Sequence, residues 1–190
     1  MGLMIHSLGE LPVNAKRDYY VYLLDYGWHE PLGEVLLSNF EMMASEASRN
    51  DAAVIRGVVG SHFEDEVLSW HSIDGRPGEE ILPAILITTR HPDDFRQHGR
   101  NWRNERTLHA DRLLLIPLKD ACKSTTDVAD LIAKIFRDIR TKQALGDFEV
   151  AKTLTKGKRG ALTDALILKP NYHGLGLDLN SILDFFRGKK

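Results

Sequence analysis

Residues 25–30 read Asp-Tyr-Gly-Trp-His-Glu, placing two carboxylates, an imidazole, two aromatic faces and a backbone-permissive glycine on six consecutive positions. A second group of this kind follows at Arg90, His91, Asp93 and Asp94. Brought together, Asp25 with His29 or His91 could act as base and orienter for activating a water. Glu30 and Asp94 complete the candidate catalytic set, Arg90 could hold an anionic group, and Trp28 offers a stacking face. The chemistry would be hydrolysis or group transfer, with a nucleotide among the substrates in view. Carboxylates with imidazoles also ligate divalent metals, but no spacing here matches a ligand pattern such as paired histidines on one helical turn. No metal site is predicted, and the cofactor is left unknown. The structural alternative for the same residues is that Asp93 and Asp94 cap a short helix begun by Pro92, Trp28 packs over a sheet edge, and Asp25 satisfies loop amides.

Residues 96–106 (RQHGRNWRNER) supply four arginines, a histidine and a tryptophan, the mixture that grips phosphates and stacks on bases. Arg96, Arg100, Trp102 and Arg103 are its candidate ligand-binding residues, and Lys152, Lys156, Lys158 and Arg159 form a second basic cluster. The sequence pI of about 6.4 is below that of a dedicated nucleic-acid domain. Overall charge is −2, yet residues 1–95 hold 6 Lys and Arg against 16 Asp and Glu, while residues 96–190 hold 19 against 11. That asymmetry suits a phosphate-bearing ligand or nucleic acid, a protein partner, or self-association through oppositely charged faces. Solvated surface is the plain alternative. Gly57, Gly60 and Ser61 resemble a phosphate cradle only in outline, since no P-loop lysine or dinucleotide glycine pattern accompanies them. Cys122 stands alone, and Lys119 and Lys123 beside it would favour a thiolate only modestly.

The elements that must position these groups can be read from periodicity. Residues 19–26 form a nearly continuous apolar, aromatic run, as a strand buried on both faces would. Pro31 opens an apolar stripe that predicts a helix over 31–49. Residues 51–59 return to strand character. Ser61 with Glu64 then reads as a capping box for a helix to about residue 73, with Phe63, Val67 and Trp70 inward and His62, Glu64, Asp65, Glu66 and His71 mostly outward. Turn chemistry over 74–80 leads into a strand at 81–88, residues 92–106 are a short helix or loop, and a strand follows at 112–118. Ser124 and Asp127 cap an amphipathic helix over 125–142, a strand spans 165–169, a Gly-broken loop covers 170–177, and a short helix closes the chain at 178–186.

This alternation predicts one α/β domain over residues 1–190, a flavodoxin-like three-layer sandwich with a mostly parallel five-stranded sheet. Its ligands would bind at the carboxyl ends of the strands, where loops 25–30 and 88–94 would be neighbours. A second layout competes. Trp28-His29-Glu30-Pro31 resembles the Trp-Cys-Gly-Pro segment of thioredoxins, and Leu82-Pro83 resembles their Ile-Pro. The resemblance covers about the first ninety residues and implies a thioredoxin-like core with a C-terminal β-α extension. It implies no thioredoxin activity, because His29 and Leu32 stand where both thiols would be. The layouts differ in whether strand 112–118 runs parallel or antiparallel to strand 81–88.

At 43% hydrophobic and 27% charged residues the chain has ordinary globular composition, and no apolar run approaches the length of a membrane span. A single cysteine and the lack of a targeting pattern in the first twelve residues point to a cytoplasmic protein. No catalytic motif of defined spacing occurs. The expectation is therefore a ligand- or partner-binding α/β module within a larger system, with a hydrolase or nucleotide-acting transferase as the alternative.

Overall fold

Apolar runs account for the centre of the molecule. Residues 19–24, 84–88 and 113–117 bury every side chain, which requires both faces of the sheet they form to be covered. In the computed structural model the described residues are 1–94 and 113–156, except 15, 29, 71–72 and 75–77, together with 166–168 and 177–178. In chain order the strands are β1 (Gly2–Ile5), β2 (Tyr19–Leu24), β3 (Ala52–Gly57), β4 (Ile73–Asp74), β5 (Ala84–Thr88), β6 (Leu113–Pro117), β7 (Leu166–Leu168) and β8 (Leu177–Asp178). The helices are α1 (Pro31–Ser38), α2 (Phe40–Arg49), α3 (Phe63–Trp70), α4 (Gly78–Ile81), α5 (Leu118–Ala121), α6 (Thr125–Arg140) and α7 (Glu149–Lys156).

Six strands form one open sheet in the order β1-β3-β2-β5-β6-β7, and β4 pairs with β8 apart from it. Strands β1, β3 and β2 are mutually parallel, whereas β5, β6 and β7 are each antiparallel to the strand before them in that order. The expected mostly parallel five-stranded sheet is thus corrected to a mixed one. The pairing of β5 with β6 is antiparallel, Ala84 facing Pro117 and Thr88 facing Leu113, as the second of the two layouts requires. Runs buried on both faces carry no alternation, so direction cannot be read from them.

Alternate residues of each central strand enter two cores. Tyr19, Val21, Leu23, Val54, Ile85, Ile87 and Leu114 pack against α1, α2 and α6. Tyr20, Tyr22, Leu24, Ile55, Leu86 and Leu115 pack on the opposite face against α3 and the residues after β1. Helix α6 begins as its sequence predicts: Ser124 Oγ accepts from the Asp127 amide at 3.3 Å and Asp127 Oδ2 accepts from the Ser124 amide at 2.9 Å.

Other boundaries differ from expectation for identifiable reasons. The helix expected over 31–49 is divided at Asn39, whose backbone and side-chain amides both donate to the Val35 carbonyl. Strand 81–88 begins only at Ala84, because residues 78–81 form a helical turn and Leu82–Pro83 is a cis peptide. β1 was not foreseen, since four residues with one fully buried side chain carry no period. Of the closing helix expected at 178–186, Asp178 lies in β8 and residues 179–186 are outside the described residues. No helix among the described residues is long and apolar enough to cross a membrane.

Candidate functional site

The carboxyl end of β2 delivers Asp25 against the first turn of α1, where a Cβ on Gly33 would overlap the Asp25 carboxylate. Glycine at that position is what allows so close an approach. Asp25 Oδ1 accepts from the Gly27 amide at 3.0 Å, and Gly27 takes φ +75°, so the loop turns sharply on its own carboxylate. Tyr26, next in line, is half-buried and donates its hydroxyl to Asp65 Oδ1 at 2.6 Å. Burial and that carboxylate hold the phenol far above its usual range. The Trp28 ring lies 5.1 Å from that of Tyr26, yet Trp28 is 55% exposed, which makes it the outward aromatic of the rim. Glu30 opens α1 without a side-chain cap and instead pairs with Lys119 at 3.0 Å.

Beside this loop, β3 ends in Arg56 and Gly57 and the chain turns through Gly60 into α3. A cavity of about 110 Å³ opens there, and Asp25, Arg56, Ser61 and Glu64 supply its polar groups. The Arg56 guanidinium carbon sits 5.1 Å from the centre of the Phe40 ring, while its Nε is buried and has no hydrogen-bond partner. Ser61 Oγ is likewise buried and unbonded. The Ser61–Glu64 capping box expected from sequence is therefore corrected: α3 starts at Phe63, and the Ser61 hydroxyl makes no capping bond. The outward position expected for Glu64 is corrected as well. It is 8% exposed, because α3 lies with its first turn over the end of β2.

Burial raises the Glu64 carboxyl above its usual range. Its own backbone amide opposes the shift, the charges of Asp25 and Asp65 add to it, and the Asp25 amide opposes it again. A carboxyl with a raised folded-state pKa gives a contribution to stability that is fully present below the unfolded value of about 4.3 and disappears as pH climbs through the folded value. Glu64→Gln should therefore melt above the parent at pH 7, with the difference closing as the solution is taken below pH ~4. Thermal denaturation across that pH range checks this, and a variant that melts lower at pH 7 would contradict it.

No family model, curated protein or solved structure matches the chain. The site must accordingly be judged on its own geometry.

The second candidate loop does not reach this cavity. Because β5 is antiparallel to β2, Ala84 faces Leu24 and Thr88 faces Tyr20, so Arg90, His91 and Asp94 follow the end of β5 that lies beside the start of β2. The five-residue step from Tyr20 to Asp25 spans roughly 16 Å of strand. His91 is 5% exposed, meets Tyr20 edge to face at 5.6 Å, and accepts from the Asp93 amide at Nδ1, 3.2 Å away. It thereby caps the turn 92–94, a role the sequence reading gave to Asp93 and Asp94. Asp25 and Glu30 thus stay with Trp28 at one end of the sheet, and Arg90, His91 and Asp94 stand at the other. His29, Arg96, Arg100, Trp102 and Arg103 lie outside the described residues.

Among the described residues no three His, Cys, Asp or Glu side chains gather as a metal site. Part of the charge division between the halves is answered within the chain, through Lys119–Glu30 at 3.0 Å, Arg140–Glu46 at 3.3 Å and Lys142–Asp18 at 2.9 Å. Arg56 and Glu64 are the cavity residues that sequence reasoning missed, whereas Ser61 was weighed with Gly57 and Gly60 as the outline of a phosphate cradle. One signal was available: Arg56 is the single charge within 52–59, and a cation ending a buried strand marks a place where the chain tolerates charge next to its core.

Proposed function

We propose that the protein is a non-redox binding module on a thioredoxin-like scaffold, which takes its ligand or partner at the carboxyl ends of β2 and β3. The scaffold reading is supported by three parallel strands followed by antiparallel ones, and by the sequence resemblance of the segment before α1 and of Leu82-Pro83 ahead of β5. Binding rather than turnover is carried by one observation, the antiparallel β2–β5 pair. It places the two candidate loops, 25–30 and 88–94, a strand length apart, whereas catalytic groups must lie within hydrogen-bond reach of one substrate. The groups left at the β2 end are recognition groups: an exposed indole on a tyrosine, a guanidinium, and carboxylates already engaged by backbone amides.

Trp28→Ala is the direct test, since a rim aromatic that anchors a complex typically accounts for about 2 kcal/mol or more of binding. In native mass spectrometry of the purified chain, a co-purifying small molecule or protein should be retained by the parent and lost about 30-fold from the variant. A species held equally by both, or one released chemically altered, would defeat the reading.

A further inference from the structure

We propose that the cavity between β2, β3 and α3 binds a small zwitterion of the α-amino acid class, its carboxylate toward Arg56 and Ser61 and its ammonium toward Asp25 and Glu64. This inference rests on the binding-module reading and names the ligand of the same site.

The argument begins with what the cavity leaves unsatisfied. Arg56 Nε and Ser61 Oγ are both shielded from solvent and both lack a partner, although each is a strong donor. Both residues line the 110 Å³ cavity, where a carboxylate would meet a guanidinium and a hydroxyl through charge-assisted bonds. The same lining includes Asp25 and Glu64, and the Asp25 charge acts on the Glu64 carboxyl. Each already accepts from a backbone amide, but the two negative charges together favour a cation, and an ammonium brings one with three donors.

Simpler ligands fail one set of lining groups or the other. A phosphate would meet Arg56 but also two carboxylates of the cavity and the charges of Asp65 and Glu66 in the first turn of α3. A lone amine would leave Arg56 and Ser61 unbonded in a buried place, at the full desolvation cost of those donors. An apolar ligand would leave both sets of lining groups unmet. Volume narrows the class further. At about 110 Å³ the cavity suits a ligand of the size of glycine or alanine. Leu23 and Leu37 form the apolar part of the wall and would face a small side chain. Tyr26 belongs to the same lining and carries Trp28 on its ring, so occupancy should be visible in indole fluorescence.

Titrating the full chain with glycine and L-alanine, and with acetate and methylammonium as single-charge controls, tests the proposal by fluorescence and calorimetry. Saturable binding of an amino acid below about 10 mM is expected, with each control at least tenfold weaker. Arg56→Gln should weaken amino-acid binding by about tenfold or more while leaving methylammonium unaffected, and Asp25→Asn should do so while leaving acetate unaffected. That opposite selectivity is a signature that general unfolding of a variant would not produce, and Arg56→Lys should restore part of the binding. Equal binding of acetate and alanine, or no saturation by either amino acid, overturns the inference. If neither amino acid binds but the parent retains a Trp28-dependent species, the ligand class is wrong and the binding reading stands. If an amino acid binds and is converted, as ligand NMR would show, the class stands and the non-catalytic reading falls.

Discussion

Phe63→Ala is expected to lower folding stability by about 3–5 kcal/mol, because it removes a fully buried ring from the core and leaves a cavity that its neighbours cannot close. Phe63 is 0% exposed, and its ring lies 6.4 Å from that of Tyr22 on the α3 face of the sheet. It also sits directly on Gly57, where an added Cβ would come within 2.7 Å of the Phe63 Cβ. Phe63 immediately precedes Glu64 and follows Ser61 by two residues, so the ring that anchors α3 also sets the position of the cavity's polar wall. Chemical denaturation should show the loss, and ligand binding should fail together with it. Gly57→Ala, which overpacks the same contact, should cost about 1–3 kcal/mol alone. The double variant should be less destabilised than the sum of the two, since the alanine methyl enters space the ring has left. A cost below about 1 kcal/mol for Phe63→Ala would mean that α3 is not seated as described.

Cys122 should be almost inert in the folded protein. The residue is 5% exposed, and burial, assisted by the charge of Asp127, pushes its thiol up to about 11. At pH 8 only about a thousandth of such a thiol is ionised, against roughly a quarter of an unperturbed one. Alkylation by iodoacetamide at pH 8 should therefore run at least 100-fold slower in the native chain than in the denatured chain, before steric exclusion slows it further. Intact-mass spectrometry over time measures both rates. Comparable rates would show that the hydrophobic layer under α5 and α6 opens readily. The sequence left the thiol only a small nucleophilic role, on account of the flanking Lys119 and Lys123. The fold removes even that, because Cys122 joins the α6-side core with Leu118 and Val128.

What the sequence by itself determined was local. The amphipathic period read over 125–142 and the Ser124–Asp127 capping pair define α6, found at 125–140, since both signals lie within one helix and its first turn. The apolar runs over 19–26, 81–88 and 112–118 named three central strands, found at 19–24, 84–88 and 113–117, and Asp25, Trp28 and Glu30 were correctly marked as a loop at a strand end. The mixed fold was legible only as a fork between two layouts, marked by Leu82–Pro83 and the Trp28–Pro31 segment.

Tertiary structure decided the remainder. The direction of β5 and β6 depends on how the chain returns between residues 88 and 113, and a strand buried on both faces reads the same either way. That direction in turn separated Asp25 from His91 and Asp94, which a parallel sheet would have made neighbours. Arg56, Ser61 and Glu64 each have an ordinary local explanation: a strand-end charge, a cap, and a polar helix position. Their burial together around Asp25 arises from the way α3 packs across the ends of β2 and β3, a contact between segments some 30–40 positions apart in the chain. Local pattern specifies which groups a segment can offer, while burial and pairing come from contacts distant in sequence. A site assembled from such contacts therefore becomes visible only once the chain is folded.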